Sequence, residues 1–251
     1  MFTRVKNRQE LDAMRDGGKM LATVLQLLKK NLEPGMTTKD LSHLAEKELK
    51  QLGGAPSVLG YQGYPDVICI SVNDEVVHGI PSDMRVIQDG DIVSLDFCVT
   101  YKNLVTDSAI SVIAGKPLSQ KDANLVRDTE KALYVGINAV HDGVRTGDIG
   151  SQIEHDLNRG GYGIVRDLVG HGVGDSVHED PNVPNYGKKG SGPKLTNGMT
   201  IAIEPMATLG TERVYVGSDG WTVLTWDKSR AAHFEHTVAI TEDGAEILTA
   251  L

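Results

Sequence analysis

The chain has 251 residues, 40% hydrophobic and 24% charged, with 34 acidic against 25 basic side chains and a formal charge of −9. That apolar content excludes disorder as the main state, and the acidic balance argues against nucleic acid or an anionic membrane as a general partner. Two cysteines, Cys69 and Cys98, are too few for a disulfide framework, and there is neither an apolar leader nor a run of 18 apolar residues, so the expected location is the cytoplasm.

Over residues 7–30, Leu11, Met14, Leu21, Val24, Leu25 and Leu28 recur at intervals that put them on one face of a helix. Pro34 and Gly35 turn the chain. Thr37 and Thr38 then open a second helix that turns Leu41, Leu44, Ala45 and Leu49 inward and stops near Leu52 at Gly53-Gly54. Strand-like runs follow at 67–72, 76–77, 91–101 and 104–113. Helical periodicity returns over 119–140 and 146–157, and the chain after His171 reads as loop and strand.

Sliding the sequence by 108 positions superposes Gly35 on Gly143, Thr38 on Thr146, Asp40 on Asp148, Glu46 on Glu154, Leu49 on Leu157, Gly53 on Gly161 and Gly90 on Gly198. Without a gap, the same offset sets Asp96 on Glu204, at the ends of the alike phrases QDGDIVSLD and TNGMTIAIE. The repeat predicts an α/β (α+β) fold in which a single domain, 1–251, contains two similar halves of about 5–115 and 116–251. Facing halves bring Asp96 and Glu204 toward a pseudo-twofold axis, which predicts a central acidic site.

Asp96 and Asp107 lie in SLDFCVTYKNLVTDSAI. A two-residue turn at Lys102-Asn103 sets Asp96 opposite Ala109 and makes Asp107 its diagonal neighbour on the same face. Two acids on one face of an apolar hairpin point to metal ligands, because burial and like charge both oppose their ionisation. The segment VGHGVGDSVHEDP carries His171 and His178, and glycines 170, 172 and 174 favour a loop over a helix. Glu204 in IAIEPM and Glu235 in AHFEHTVAI interrupt apolar strands and read as buried acids. His43, His141 and His155, on polar helical stretches, have no specific role.

Asp96 and Asp107 are 11 residues apart, whereas Glu204 and Glu235 are 31 apart, so the second hairpin carries 20 extra residues, Trp221 among them, for a lid or a pocket wall. Four carboxylates converging with one or two histidines need cations. Two divalent ions balance them, and mixed oxygen and imidazole ligands suit Mn, Fe, Co or Zn. Two such ions activate water and polarise a carbonyl, which implies hydrolysis.

The motifs GYQGYPDVICISVNDEVVHGIP, DGDIVSLD, TDS, GHGVGDSVHEDP, TIAIEPM, DGWTVLT and FEHTVAIT, in this order from about Arg4 to Leu251, make the chain resemble the bacterial type I methionine aminopeptidases of peptidase family M24. The resemblance implies the pseudo-symmetric "pita-bread" fold, with a curved antiparallel sheet and outer helices. It also implies that Asp96 holds one metal, that Asp107 and Glu235 bridge both, and that His171 and Glu204 complete the second. Glu204 would shuttle the proton, His178 would stand near the carbonyl oxygen and His78 near the scissile amide. Tyr61, Tyr64, Cys69 and Trp221 match positions of the methionine pocket.

The implied substrates are nascent polypeptide N-termini with a small second residue, so this chain's own Met1, before Phe2, is expected to stay. The ribosome surface is left open as a partner, a monomer is the expected state, and no specific nucleic acid and no membrane are expected. Val58, Val177 and His233 depart from the family pattern, His233 standing where Gln is commoner. Two rival readings are weighed against this one. An Xaa-Pro aminopeptidase on the same fold generally carries a large additional N-terminal domain, and a non-catalytic ribosome-associated module loses ligands that are all filled here.

Overall fold

A computed structural model describes residues 2–251. Four helices form the outer layer: α1 (Arg8–Asn31), α2 (Thr38–Leu52), α3 (Gln120–Ile137) and α4 (Thr146–Gly160). The first two begin at capping boxes, Asn7 with Glu10 and Thr37 with Asp40, in which each side chain satisfies a backbone N–H that the first turn leaves unpaired. Gly53 ends α2 and Gly161 ends α4, both left-handed, with φ of 85° and 71°. Helix α3 stops three residues short of the predicted 140, and α4 runs three residues past the predicted 157. His141 therefore lies in the α3–α4 loop, its Nδ1 donating to the Asp142 carbonyl, and not on a helix.

The first half supplies strands β1 (Ala55–Pro56), β2 (Cys69–Val72), β3 (Glu75–Val77), β4 (Ile92–Tyr101) and β5 (Leu104–Ile113). The second supplies β6 (Gly163–Ile164), β7 (Gly170–Gly172), β8 (Glu179–Val183), β9 (Thr200–Ile203), β10 (Met206–Thr208), β11 (Val214–Val216), β12 (Val223–Thr225), β13 (Ala231–His233), β14 (Glu235–Ile240) and β15 (Ala245–Ile247). Strand β2 starts two residues later than the predicted 67, because the Val67 N–H is taken by the Asp66 carboxylate.

The main sheet runs β1-β4-β5-β14-β9-β7-β8, with β2 on β4 and β15 on β14, and every pairing in it is antiparallel. Two apolar cores lie between this sheet and the helices. One joins α1 and α2 to β2 and β4 through Leu21, Leu28, Leu41, Ile70 and Phe97; the other joins α3 and α4 to β9 and β14 through Leu125, Leu133, Ile153, Ile203 and Val238.

The 108-residue repeat is visible in the backbone. Helix α2 maps onto α4 residue for residue, Gly90 (φ 84°) onto Gly198 (φ 86°), and the isolated bridge Thr37–Val86 onto Arg145–Lys194. After the 20-residue insertion the offset becomes 128, which carries Asp107 to Glu235 and Ser108 to His236. Ser108 and His236 face each other where β5 meets β14, so the pseudo-twofold axis passes through that pair. Among the described residues, no helix is long and apolar enough to cross a membrane.

Candidate active site

The β4–β5 turn sets the first two acids. Lys102 and Asn103 both take left-handed backbone angles, φ 48° and 63°, as a two-residue hairpin turn with right-handed strand twist requires. The ladder then runs from Tyr101 opposite Leu104 to Ile92 opposite Ile113, with Asp96 opposite Ala109 and Cys98 opposite Asp107. Asp96, Cys98 and Asp107 consequently share one face, and a ligand atom of each lies within 4.8 Å of the others.

The axis brings in the other half. Glu235 opens β14 opposite Ala109, and the N–H of Asp107 donates to Thr237 Oγ1, which donates to the Asp107 carbonyl. Glu204 follows directly on β9. His171 lies in β7, opposite Ala202, and not in the predicted loop. Its flanking glycines serve close strand packing: a Cβ on Gly170 would stand 2.4 Å from the Ala202 carbonyl oxygen, and one on Gly172 2.5 Å from that of Asp180.

Because a carbonyl only accepts, the 2.9 Å contact of His171 Nδ1 with the Gly172 oxygen fixes the proton on Nδ1. Nε2 therefore presents its lone pair to the acids, 3.5 Å from Glu204 Oε1. Ligand atoms of Asp107, His171 and Glu235 also fall within 4.8 Å of one another. Asp96, Asp107, His171, Glu204 and Glu235 are thus brought to one place from five segments.

Electrostatically this place is frustrated. Burial pushes Asp96 up to about 8, helped by Asp107, and Glu204 up to about 8. Asp107 is raised to about 7 by burial, against the hydrogen bond from the Cys98 thiol, and burial with Asp107 beside it drives Glu235 well above the carboxylate range. Burial holds His171 and His78 neutral, at about 3 and 4. Among the described residues no lysine or arginine pairs with these four acids, and Asp107 Oδ1 and Glu235 Oε1 are buried without a hydrogen-bond partner. Acids whose ionisation is pushed up toward neutral pH and above, and orphaned oxygens converging with an imidazole lone pair, are the donor set that a divalent cation satisfies.

The sequence profile of metallopeptidase family M24 matches residues 12–242. A methionine aminopeptidase of Clostridium acetobutylicum is 46% identical over 245 residues, 98% of each chain. Methionine aminopeptidase 1 of Bacillus subtilis is 43% identical over 97% of this chain and 98% of its own. The crystal structure of the Thermotoga maritima methionine aminopeptidase superposes with a TM-score of 0.98 at 44% identity, over the whole of both chains. The chain belongs to metallopeptidase family M24. Within M24 it groups with the bacterial type I methionine aminopeptidases, and its fold is the pita-bread fold. Prolidase from Pyrococcus furiosus, at 22% identity and a TM-score of 0.78, shares that fold and covers 98% of this chain but only 65% of its own.

Around the acids of this M24 chain stand the residues expected to meet substrate. His178 precedes β8, its ring centroid 4.4 Å from that of His171 and its Nδ1 3.0 Å from the Tyr61 hydroxyl. His78 follows β3 at φ 61°, a left-handed angle uncommon outside glycine. Next to it, Gly79 lies so close to β2 that a Cβ would stand 2.3 Å from the Ile70 carbonyl oxygen.

Tyr61, Tyr64, Cys69 and Trp221 fall in one apolar cluster with Val58 and Val177. Trp221 meets Tyr64 edge-on at 5.2 Å, and the Tyr64 hydroxyl donates to the Gly79 carbonyl at 2.8 Å. The insertion that carries Trp221 forms β11 and β12, which extend the edge of β3, so it builds a wall and not a detached flap. Sequence reasoning missed Cys98, Val105 and Val173 of this cluster; the spacing of two from Asp96 was the signal for Cys98. His43 and His155 stay on α2 and α4, away from the site.

Proposed function

We propose that this M24 chain removes the N-terminal methionine from nascent proteins and peptides whose second residue is small. The observation that carries this reading is a knot of four carboxylates facing the imidazole lone pair of His171, with no lysine or arginine partner among the described residues, bordered by an apolar cluster. Asp96, Asp107, His171, Glu204 and Glu235 would hold two divalent ions of Mn, Fe, Co or Zn character. When bound, the ions supply Lewis-acid polarisation of the scissile carbonyl and a nucleophile at neutral pH.

The side chains do the rest. Glu204, whose burial raises its proton affinity toward neutrality, accepts a proton and returns it to the leaving amine. We assign the His178 proton to Nε2, where it donates to the developing oxyanion, with the Tyr61 hydroxyl 3.0 Å from Nδ1 taking the donor role in that tautomer. His78 holds the scissile amide. Tyr61, Tyr64, Cys69 and Trp221 receive the thioether, for which aromatic and sulfur surfaces are suited. Residues 1–251 act as one catalytic unit of two halves, about 5–115 and 116–251. The unit works as a monomer in the cytoplasm, on nascent chain ends.

Hydrolysis of Met-Gly-Met, compared with Met-Phe-Met and an Xaa-Pro peptide in the presence of Mn or Co, tests the reading. Preferential release of methionine from Met-Gly-Met, abolished by a chelator, is expected. Cleavage of the Xaa-Pro peptide alone would assign the site to the prolidase side of the fold. No hydrolysis together with no metal uptake would leave a binding module.

A further inference from the structure

One buried side chain at the acidic knot has no part in the mechanism above. His233 ends β13, where the Ser111 hydroxyl accepts from its N–H and donates to its carbonyl, each at 2.9 Å, so its backbone is pinned to β5. The residue is 1% exposed, and among the described residues neither ring nitrogen has a hydrogen-bond partner. An imidazole buried with both nitrogens unbound bears its full desolvation cost, unless something the protein binds takes one of them.

Its Nε2 lies 3.6 Å from Glu204 Oε2 and 3.9 Å from Glu235 Oε2. Both separations are too long for hydrogen bonds. They do match donors that share an ion, since atoms each about 2.1 Å from one cation stand about 3 to 4 Å apart. The His171 side of the same carboxylate repeats the pattern, with Nε2 3.5 Å from Oε1. Glu204 is therefore flanked by an imidazole on each oxygen.

The geometry points to His233 Nε2 as a further protein donor to the metal pair, at its Glu204–Glu235 edge. This rests on the metal-centre reading above and adds to it a ligand that the expected set of five lacks. A second imidazole adds nitrogen without charge, which moves the centre's preference away from Mn and toward ions that favour imidazole, Zn, Co and Fe.

Metal-stripped protein labelled with [15N]histidine, titrated with two equivalents of Zn(II) and followed through the imidazole nitrogens by NMR, tests this without reference to turnover. A metal-shifted nitrogen present in the wild type and missing from zinc-loaded H233Q is expected. In chelator competition H233Q should hold zinc at least about tenfold more weakly, given that even partners of ligands contribute about 10- to 100-fold. In the complementary H171N/H178A protein, one shifted imidazole should remain at full zinc occupancy. If H233Q keeps every shifted nitrogen of the wild type, or if none remains in H171N/H178A, the assignment is overturned while the metal centre stands. If the wild type takes up no zinc, the centre and this ligand fall together.

Discussion

The crowding of acids at the axis has a consequence for stability that can be measured without substrate. Asp96 and Glu204 are both raised to about 8, against an ordinary carboxylate value near 4, so the metal-free folded protein binds protons there that the unfolded chain has released. Such stability is fully present below the unfolded value and is lost as pH climbs toward the folded one. The buried histidines work in the opposite direction: His78 at about 4 and His171 at about 3 are neutral when folded, so stability rises with pH through the unfolded value of about 6.5 and levels off about one unit above it, once the unfolded histidines have lost their protons as well.

The acids therefore dominate between pH 7 and pH 8. A carboxyl that titrates near 8 loses about 1 kcal/mol across that unit, so Asp96 and Glu204 together lose about 2 kcal/mol. For a chain of this size that lowers Tm by about 4–8 °C. Thermal melts in chelator at pH 7.0, 7.5 and 8.0 should show this fall. With saturating Mn(II), which requires the ionised acids, the gap between loaded and chelated protein should widen as pH rises. A chelated Tm that is flat or rising from pH 7 to pH 8 would refute the claim that these carboxyls are held neutral by burial and by one another.

Replacing Glu204 with Gln should leave a folded protein whose kcat on Met-Gly-Met falls about 10²- to 10⁴-fold, the range for a general acid–base group; full turnover in that variant would remove Glu204 from proton transfer. His178→Ala should lower kcat by a larger factor than it raises KM, whereas a change in KM alone would make His178 a binding residue only. Gly172→Ala would push a Cβ to 2.5 Å from the Asp180 carbonyl oxygen and 2.8 Å from Thr3 Cβ, so a loss of about 1–3 kcal/mol in chemical denaturation is expected together with weaker metal uptake. An unchanged midpoint and unchanged uptake would show that β7 has room the packing denies.

Local chemistry determined much of this protein in advance. The capping pairs Asn7–Glu10 and Thr37–Asp40, the glycines that end α2 and α4, and the Lys102-Asn103 turn act within a few residues, so their effects can be read along the chain. That turn alone dictates that Asp96 and Asp107 share a face, and the 108-residue offset makes Glu204 the counterpart of Asp96. What lies across a strand or beneath a ring depends on partners far away in sequence. The glycines around His171 look like a loop until Ala202 and Asp180 close in on them as neighbouring strands. His78 and Trp221 come to the same site because the insertion pairs with β3, an edge that neither segment announces. His233 reads as a simple exchange for Gln, and only the meeting of β13 with β5 turns its Nε2 onto two acids. Backbone conformation answers to nearest neighbours, whereas the surroundings of a buried polar atom are set by tertiary packing.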